Sequence, residues 1–151
     1  MTNLQFAHVA LVCADPLEVE RFYAKYFGFE RRRVVPTGDG RQVVFTTSGT
    51  LTLEIFPTDQ DRPLPPPDRD GYPFPGWRHL AFRVDDIDAK VAELGADARI
   101  TLGPLGFDEV ISGWRTVWVS DPEGNIIEIS QGYRDEAQPP PLPPAWTLGG
   151  A

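Results

Sequence analysis

Two histidines and two glutamates of this chain could together bind a metal ion, and they recur at matching places in two halves of the sequence. His8 and His79, the two histidines of the chain, each begin a short apolar stretch. Glu54 and Glu128 lie in later apolar stretches, LTLEIF and NIIEIS, and nearly the same number of residues separates the glutamates as the histidines. Two nitrogen and two oxygen ligands suit one borderline divalent ion (Zn, Ni, Co, Mn or Fe) and leave room for water or substrate.

Each of these side chains also has a structural interpretation. A histidine at the start of a strand can simply pack or cap, and a glutamate on a half-buried strand can face solvent. A carboxylate between apolar residues is costly to bury without a cation, a proton or a donor. Because all four residues recur together at equivalent positions, a shared metal site is favoured over four separate structural roles.

The elements that would carry these side chains follow one order twice. A first module, β-α-β-β-β, is predicted from about residue 4 to 56, and a second from about 78 to 131, which is the pattern of a duplicated unit. Asp15 caps the first helix and Gly28 ends it, while Asp85 or Asp86 caps the second helix. Residues 99–102 are predicted to form a short strand and residues 103–113 a loop.

Proline marks the segments outside the modules. Seven of the 16 prolines lie between residues 57 and 76, which predicts an extended connector that either bridges the modules or covers the mouth of a cleft. Residues 1–136 are interpreted as one domain. Residues 137–151 form a proline-rich tail that includes Trp146 and is expected to be loosely docked.

Composition narrows the classes of function. The chain of 151 residues is 41% hydrophobic and carries a net charge of −8, which disfavours a general binder of nucleic acid or of anionic membranes. No apolar run approaches a membrane span, and the N-terminus lacks the pattern of a signal peptide. One cysteine, Cys13, excludes an internal disulfide framework, and its place at a strand end with no histidine nearby in sequence makes it an unlikely nucleophile. A cytoplasmic protein is expected.

Three stretches resemble a known family. FAHVALVCADPLEVERFYAKYFGFE, RHLAFRVDDIDAKVAEL and VSDPEGNIIEIS are similar to the glyoxalase, bleomycin-resistance and dioxygenase superfamily, whose members are also called vicinal oxygen chelate proteins. The resemblance covers about residues 4–131. It implies an α+β fold of paired βαβββ modules whose mixed sheets curl around a metal cleft. It also implies a homodimer, with the site built either within one chain or across two.

The set His8, Glu54, His79 and Glu128 resembles the ligands of the glyoxalase I and methylmalonyl-CoA epimerase branch. That resemblance implies a lyase or isomerase that transfers a proton next to a carbonyl, through a metal-stabilised enediolate or enolate. It makes Glu128 the first candidate for the catalytic base and Glu54 the second, while both histidines remain ligands.

Three further residues are candidates for contacting the substrate. Glyoxalase I proteins often carry an arginine four residues after the first histidine, for glutathione, but this position is Val12 here. The equivalent position after His79 is Arg83, which could either hold an anionic substrate group or be a solvated strand end. By strand parity and the resemblance, Thr116 and Trp118 are expected to face the site, although Trp118 could also be a core residue.

Two other functions remain open from the sequence. An Fe(II)-dependent ring-cleaving dioxygenase would use His8, His79 and Glu128 as ligands. A non-enzymatic protein that binds a small molecule, such as a drug, would need no bound metal.

Overall fold

The structure, a computed structural model, describes residues 4–143. The order β-α-β-β-β occurs twice, as predicted. The elements are β1 (Val9–Cys13), α1 (Pro16–Phe27), β2 (Glu30–Pro36), β3 (Gln42–Ser48), β4 (Leu51–Pro57), β5 (Leu80–Arg83), α2 (Ile87–Leu94), β6 (Ile100–Gly106), β7 (Arg115–Ser120) and β8 (Ile126–Gln131), with a short 3₁₀ turn at Gly95–Asp97.

Local sequence signals determine both ends of α1 and the start of α2. The side chain of Asp15 accepts hydrogen bonds from the backbone N–H groups of Leu17 at 2.9 Å and Glu18 at 3.2 Å, so it satisfies donors that the first turn leaves free. Gly28 ends α1 with φ of 65°, a left-handed conformation that glycine adopts without strain. In α2, the cap is Asp86, which accepts from the N–H of Ala89 at 3.0 Å.

Each module forms one mixed sheet of four strands. The strand orders are β1-β4-β3-β2 and β5-β8-β7-β6. In each sheet the first strand runs parallel to the last strand of its module, and the other neighbours are antiparallel. The strands β1 and β5 are therefore edge strands. The α+β class and the paired modules are confirmed.

The two modules share one hydrophobic core. Buried residues of both helices and both sheets belong to a single cluster. At the junction, the ring of Phe27 on α1 packs against that of Phe82 on β5, with centroids 4.6 Å apart. The hydroxyl of Tyr23 donates to Oδ2 of Asp121, in the turn before β8, at 3.1 Å. The inner faces of the sheets are thus occupied by packing, which leaves the opposite faces for chemistry.

One sequence prediction was wrong about a strand. Residues 103–106, expected to be loop, belong to β6, which pairs with β7 as far as Gly106. The register of this pair shifts twice, once between Ile100 and Leu102 and again between Leu102 and Leu105. Such irregularities break the alternation that marks a strand in sequence, so the loop-like composition concealed it.

The proline-rich connector folds against the second module. The carboxylate of Asp68 pairs with Arg99 at 3.1 Å, and the hydroxyl of Thr101 on β6 donates to the carbonyl of Arg69 at 2.5 Å. Within the connector, the hydroxyl of Tyr72 donates to the carbonyl of Pro65 at 2.6 Å. The connector therefore has a defined path over β6 and is more than a bridge between the modules.

Residues 137–143 contain no helix or strand, and the rest of the predicted tail, including Trp146, lies outside the described residues. Neither helix within residues 4–143 has the length and apolar character needed to cross a membrane.

Candidate metal and catalytic site

In the first module, His8 and Glu54 lie side by side on the open face of the sheet. His8 immediately precedes β1, and Glu54 pairs in register with Ala10. The Nε2 atom of His8 is 3.0 Å from Oε2 of Glu54. The neighbours of Glu54, Leu53 and Ile55, are fully buried on the other face, as strand parity predicts.

The second module repeats this arrangement. The Nε2 atom of His79 is 2.8 Å from Oε2 of Glu128, which pairs in register with Ala81. An aromatic ring accompanies each histidine edge-on: Phe45 lies 6.1 Å from His8, and Trp118 lies 6.3 Å from His79, measured between centroids. In register, Phe45 lies opposite Glu54 and Trp118 lies opposite Glu128.

The second pair is held more firmly than the first. The Nδ1–H group of His79 donates to the backbone carbonyl of Asp70 in the connector at 2.6 Å. The side chain of His79 is 19% exposed, compared with 41% for His8. Among the described residues, His8 has no equivalent backbone partner at Nδ1. A histidine whose outer nitrogen donates to a carbonyl presents its inner nitrogen in a fixed direction, as metal-binding histidines do.

Glu128 has partners that Glu54 lacks. The hydroxyl of Thr116, buried on β7, lies 3.1 Å from Oε1 of Glu128 and also 3.1 Å from the carbonyl of Ile129. The hydrogen bond with His79 lowers the pKa of Glu128, and Thr116 adds to this effect. The indole N–H of Trp118 lies close enough to lower that pKa further, yet its geometry falls short of a hydrogen bond. Glu128 is consequently ionised at neutral pH.

The atoms that face each other in the second pair require a positive species between them. Because Nδ1–H of His79 donates to the carbonyl of Asp70, the neutral ring has only a lone pair at Nε2. The protonated ring has an N–H group there, which can donate to Glu128. Two lone pairs cannot face each other at 2.8 Å, so an additional proton or a metal ion must lie between the His79 ring and the Glu128 carboxylate. In the metal-free protein, the hydrogen bond to Glu128 raises the pKa of His79, because the protonated ring is favoured. The donor set therefore fits a divalent ion.

The four predicted ligands form two pairs and not one cluster. His8 and His79 both border one groove of about 450 Å³ between the β1 and β5 ends of the two sheets. Nevertheless, within residues 4–143 no three His, Cys, Asp or Glu side chains are arranged so that they could hold one metal ion. Each module of one chain therefore presents half of a four-ligand set.

Arg83 lies beside the second pair. It follows Ala81 by two positions on β5 and shares its face of the sheet, and it borders a cavity of about 330 Å³ together with Glu128. The guanidinium carbon of Arg83 is 5.6 Å from the centre of the Tyr133 ring. In the first module the equivalent position is Val12, which is 58% exposed.

Sequence reasoning missed several residues of this region. Phe45 was detectable, because strand pairing puts it opposite Glu54. Trp114, which borders the cavity of Arg83, has the parity of Thr116 and Trp118 and was detectable in the same way. Tyr133 borders the same cavity but follows the last strand, where alternation no longer applies. Asp70 gave no signal at all, since its contribution to His79 is a backbone carbonyl in a segment without periodicity.

Comparison with known proteins agrees with the fold. Residues 5–129 match the profile of the Glyoxalase/Bleomycin resistance protein/Dioxygenase superfamily. The uncharacterised protein YaeR of Escherichia coli strain K12 is 34% identical over 128 residues, which span 83% of this chain and 94% of YaeR.

Two solved structures share the fold. A glyoxalase family protein from Enterococcus faecalis superposes with a TM-score of 0.63 at 29% identity, covering 83% of this chain and 96% of that protein. The fosfomycin resistance protein FosX of Listeria monocytogenes, solved with Mn(II) and sulfate, superposes with a TM-score of 0.62 at 14% identity, covering 87% and 95%.

Proposed function

Because the chain belongs to the glyoxalase, bleomycin resistance protein and dioxygenase superfamily, we propose that it is a metal-dependent lyase or isomerase that transfers a proton next to a carbonyl group. The observation that carries this proposal is the repeated pairing of a histidine with a glutamate, at 3.0 Å in one module and 2.8 Å in the other. A set of two histidines and two glutamates supports the glyoxalase I or epimerase type. A dioxygenase with three ligands would leave Glu54 without a role.

The residues that would hold the metal are His8, Glu54, His79 and Glu128. They suit one divalent ion (Zn, Ni, Co, Mn or Fe). The presence of Mn(II) in FosX, a protein of the same fold, supports a divalent metal. When bound, the metal supplies Lewis-acid stabilisation of negative charge on the substrate oxygens.

Glu128 is the residue that would remove the proton, and it would leave the metal for this role when substrate binds. It is ionised, it borders a cavity large enough for a small molecule, and Thr116 holds one of its oxygens. A carboxylate that takes a proton from one carbon can return it to the neighbouring carbon or to the other face of the same carbon. Glu54 is the second candidate, but it lacks a hydroxyl equivalent to Thr116, since the corresponding strand position is Val43.

The complete site would form between two copies of the chain. Each chain presents two ligands per module, and the two pairs do not converge within residues 4–143. The edge strands β1 and β5 and their flanks expose large apolar side chains, among them Phe6, Val12 and Trp77. A two-fold dimer that joins β1 of one copy to β5 of the other would cover this surface and create two identical four-ligand sites.

Metal analysis beside a Glu128→Gln variant tests the proposed reaction. We expect the purified wild-type protein to retain close to one divalent ion per chain. We also expect wild type to exchange the carbon-bound protons of small α-hydroxyketones or thioesters with deuterium from the solvent. Gln keeps the size of Glu but cannot take up a proton, so exchange should fall by about 100-fold or more.

Three outcomes would contradict parts of this proposal. A wild-type protein that binds no divalent ion would favour a non-enzymatic small-molecule binder. Consumption of oxygen in the presence of catechols would favour a dioxygenase. A Glu128→Gln variant that keeps its metal and exchanges protons at the wild-type rate would show that Glu128 is not the base.

A further inference from the structure

Arg83 lies on the same open face of the second sheet as the proposed base, Glu128. Ala81 pairs in register with Glu128, and Arg83 pairs with Ser130. The side chains of Arg83 and Glu128 therefore start about 7 Å apart on neighbouring strands. Arg83 and Glu128 border the same cavity of about 330 Å³, which the aromatic rings of Trp114 and Tyr133 also line. A small molecule in this cavity can therefore contact the base and the guanidinium together.

The guanidinium of Arg83 has no counter-ion within the described part of the chain. Three other arginines around the second module are paired with carboxylates, Arg78 with Asp70, Arg99 with Asp68 and Arg115 with Asp88, whereas Arg69 and Arg134 are not paired within residues 4–143. Arg83 is exposed at the end of β5, so its N–H donors are accessible to a small molecule in the cavity.

The surroundings of Arg83 keep its donors available. The Tyr133 ring lies against the guanidinium, an arrangement that restrains a cation while its N–H groups remain free. The nearby carboxylate of Asp135 acts on the Tyr133 hydroxyl, whose pKa it raises, and it is not within salt-bridge distance of Arg83. Glu128 is already engaged by His79 and Thr116.

We propose that the substrate carries a carboxylate or phosphate group, which Arg83 binds while the acidic carbon lies against Glu128. The planar guanidinium matches both groups because it can donate two parallel hydrogen bonds to two oxygens. The inference rests on the proposed function for the position of the reacting carbon. Because the first module has Val12 at the equivalent position, only the half of the site containing Glu128 can bind the anion.

Three small α-hydroxyketones with the same reacting core test this inference. Hydroxyacetone is neutral, hydroxypyruvate adds a carboxylate, and dihydroxyacetone phosphate adds a phosphate. Binding of each is measured by NMR titration of the isotope-labelled protein. One sample is free of metal, and the other is loaded with Zn²⁺, which is diamagnetic, in place of Mn²⁺. We expect at least one anionic probe to bind about 10- to 100-fold more tightly than hydroxyacetone, as one charge-assisted pair of hydrogen bonds would provide. The stronger anionic probe identifies which group is the natural one.

Variants locate the effect at Arg83. Arg83→Gln should abolish the preference for the anion and leave the dissociation constant of hydroxyacetone within about twofold. Arg83→Lys should retain part of the preference, because it keeps the charge and loses the paired donors. Arg21→Gln is the matched control: Arg21 lies exposed on α1, is unpaired among the described residues and borders a different cavity. It should bind all three probes like wild type.

Two results would overturn the inference. One is equal binding of neutral and anionic probes by wild type, and the other is an anion preference that survives in Arg83→Gln. Proton exchange is recorded on the same samples. Anion binding that depends on Arg83 without any exchange would contradict the proposed reaction and leave the anion site standing. Exchange with hydroxyacetone alone would support the reaction and contradict the anion site.

Discussion

The backbone carbonyl of Asp70 accepts a hydrogen bond from Nδ1 of His79 at 2.6 Å, so the connector between the modules determines the direction of a candidate metal ligand. The side chain of Asp70 is held in turn by Arg78, whose Nε lies 2.9 Å from Oδ2. Gly71 permits this path. It has φ of 122°, and a Cβ atom there would lie 2.3 Å from the carbonyl oxygen of Arg78.

Gly71→Ala should therefore weaken metal binding without unfolding the protein. The added methyl group forces the connector away from Arg78, and the Asp70 carbonyl moves with it. We expect metal affinity to fall by about 10- to 100-fold, the usual effect of losing a partner of a ligand. Competition with a chromophoric chelator measures the affinity.

Gly38→Ala is the control for this prediction. Gly38 also has a left-handed φ, 86°, but nothing lies within 4 Å of its would-be Cβ atom. The control should bind metal like wild type. Equal losses in both variants would mean that backbone strain alone, and not the position of Asp70, weakens the site.

A mixed dimer tests whether the site forms across two chains. His8→Ala and His79→Ala should each abolish metal binding when purified alone. In a dimer of one chain of each kind, isolated with two different tags, one of the two sites would combine an intact His8 with an intact His79. About one metal ion per mixed dimer is therefore expected, half of the wild-type content. A mixed dimer without metal would show that each site is built within one chain.

Tyr23→Phe should destabilise the junction of the modules. Tyr23 is fully buried and its hydroxyl is a donor to buried Asp121. Its loss should lower the free energy of unfolding by about 1–2 kcal/mol at pH 7, measured by urea denaturation with an unchanged m value. Tyr72→Phe removes an exposed hydrogen bond to Pro65 and should change stability by less than about 0.5 kcal/mol.

The effect of Tyr23→Phe should also depend on pH. Burial raises the pKa of Asp121, and the Tyr23 hydroxyl counteracts part of this rise. A carboxyl whose pKa is raised by folding stabilises the protein below the unfolded pKa, and this contribution is lost as pH increases through the folded pKa. Because the variant raises that pKa further, its deficit should be larger at pH 7 than at pH 4. An equal deficit at both values would contradict this role of Tyr23.

Cys13 should be inert in the folded protein. The thiol is 1% exposed, and burial, followed by the charges of Glu123 and Asp121, raises its pKa to about 12. Since the thiolate is the reactive form, alkylation by iodoacetamide at pH 8 should be about 1000-fold slower than in denaturant. Mass spectrometry measures the rate. Rapid labelling of the native protein would contradict the burial of this strand end.

The fold was largely predictable because its signals are local. Asp15 and Gly28 bound the first helix through contacts within a few residues, and alternation around Glu54 and Glu128 gives the orientation of their strands. The strand at residues 103–106 was missed, because two register shifts interrupt its alternation.

The approach of each histidine to the glutamate of its own module was predictable, and the arrangement of the two pairs was not. Strand parity indicates which face of a sheet a side chain occupies. This was sufficient to predict that His79 and Glu128 share one face, where the structure has them 2.8 Å apart. Parity does not indicate how two sheets pack on a common core, so the separation of the two pairs could not be foreseen. The contact of Asp70 depends on the path of an aperiodic connector, which proline content alone does not define.

The strands β1 and β5 lie at the edges of their sheets, and each has a row of backbone groups with no strand partner within the described chain. If a second copy covers these edges, assembly and folding become linked by mass action. Dilution would then dissociate the dimer and favour unfolding, and the melting temperature would rise with protein concentration. A chain that loses its partner would also expose two templates for non-native strand pairing, so substitutions that weaken the dimer should promote aggregation as well as unfolding.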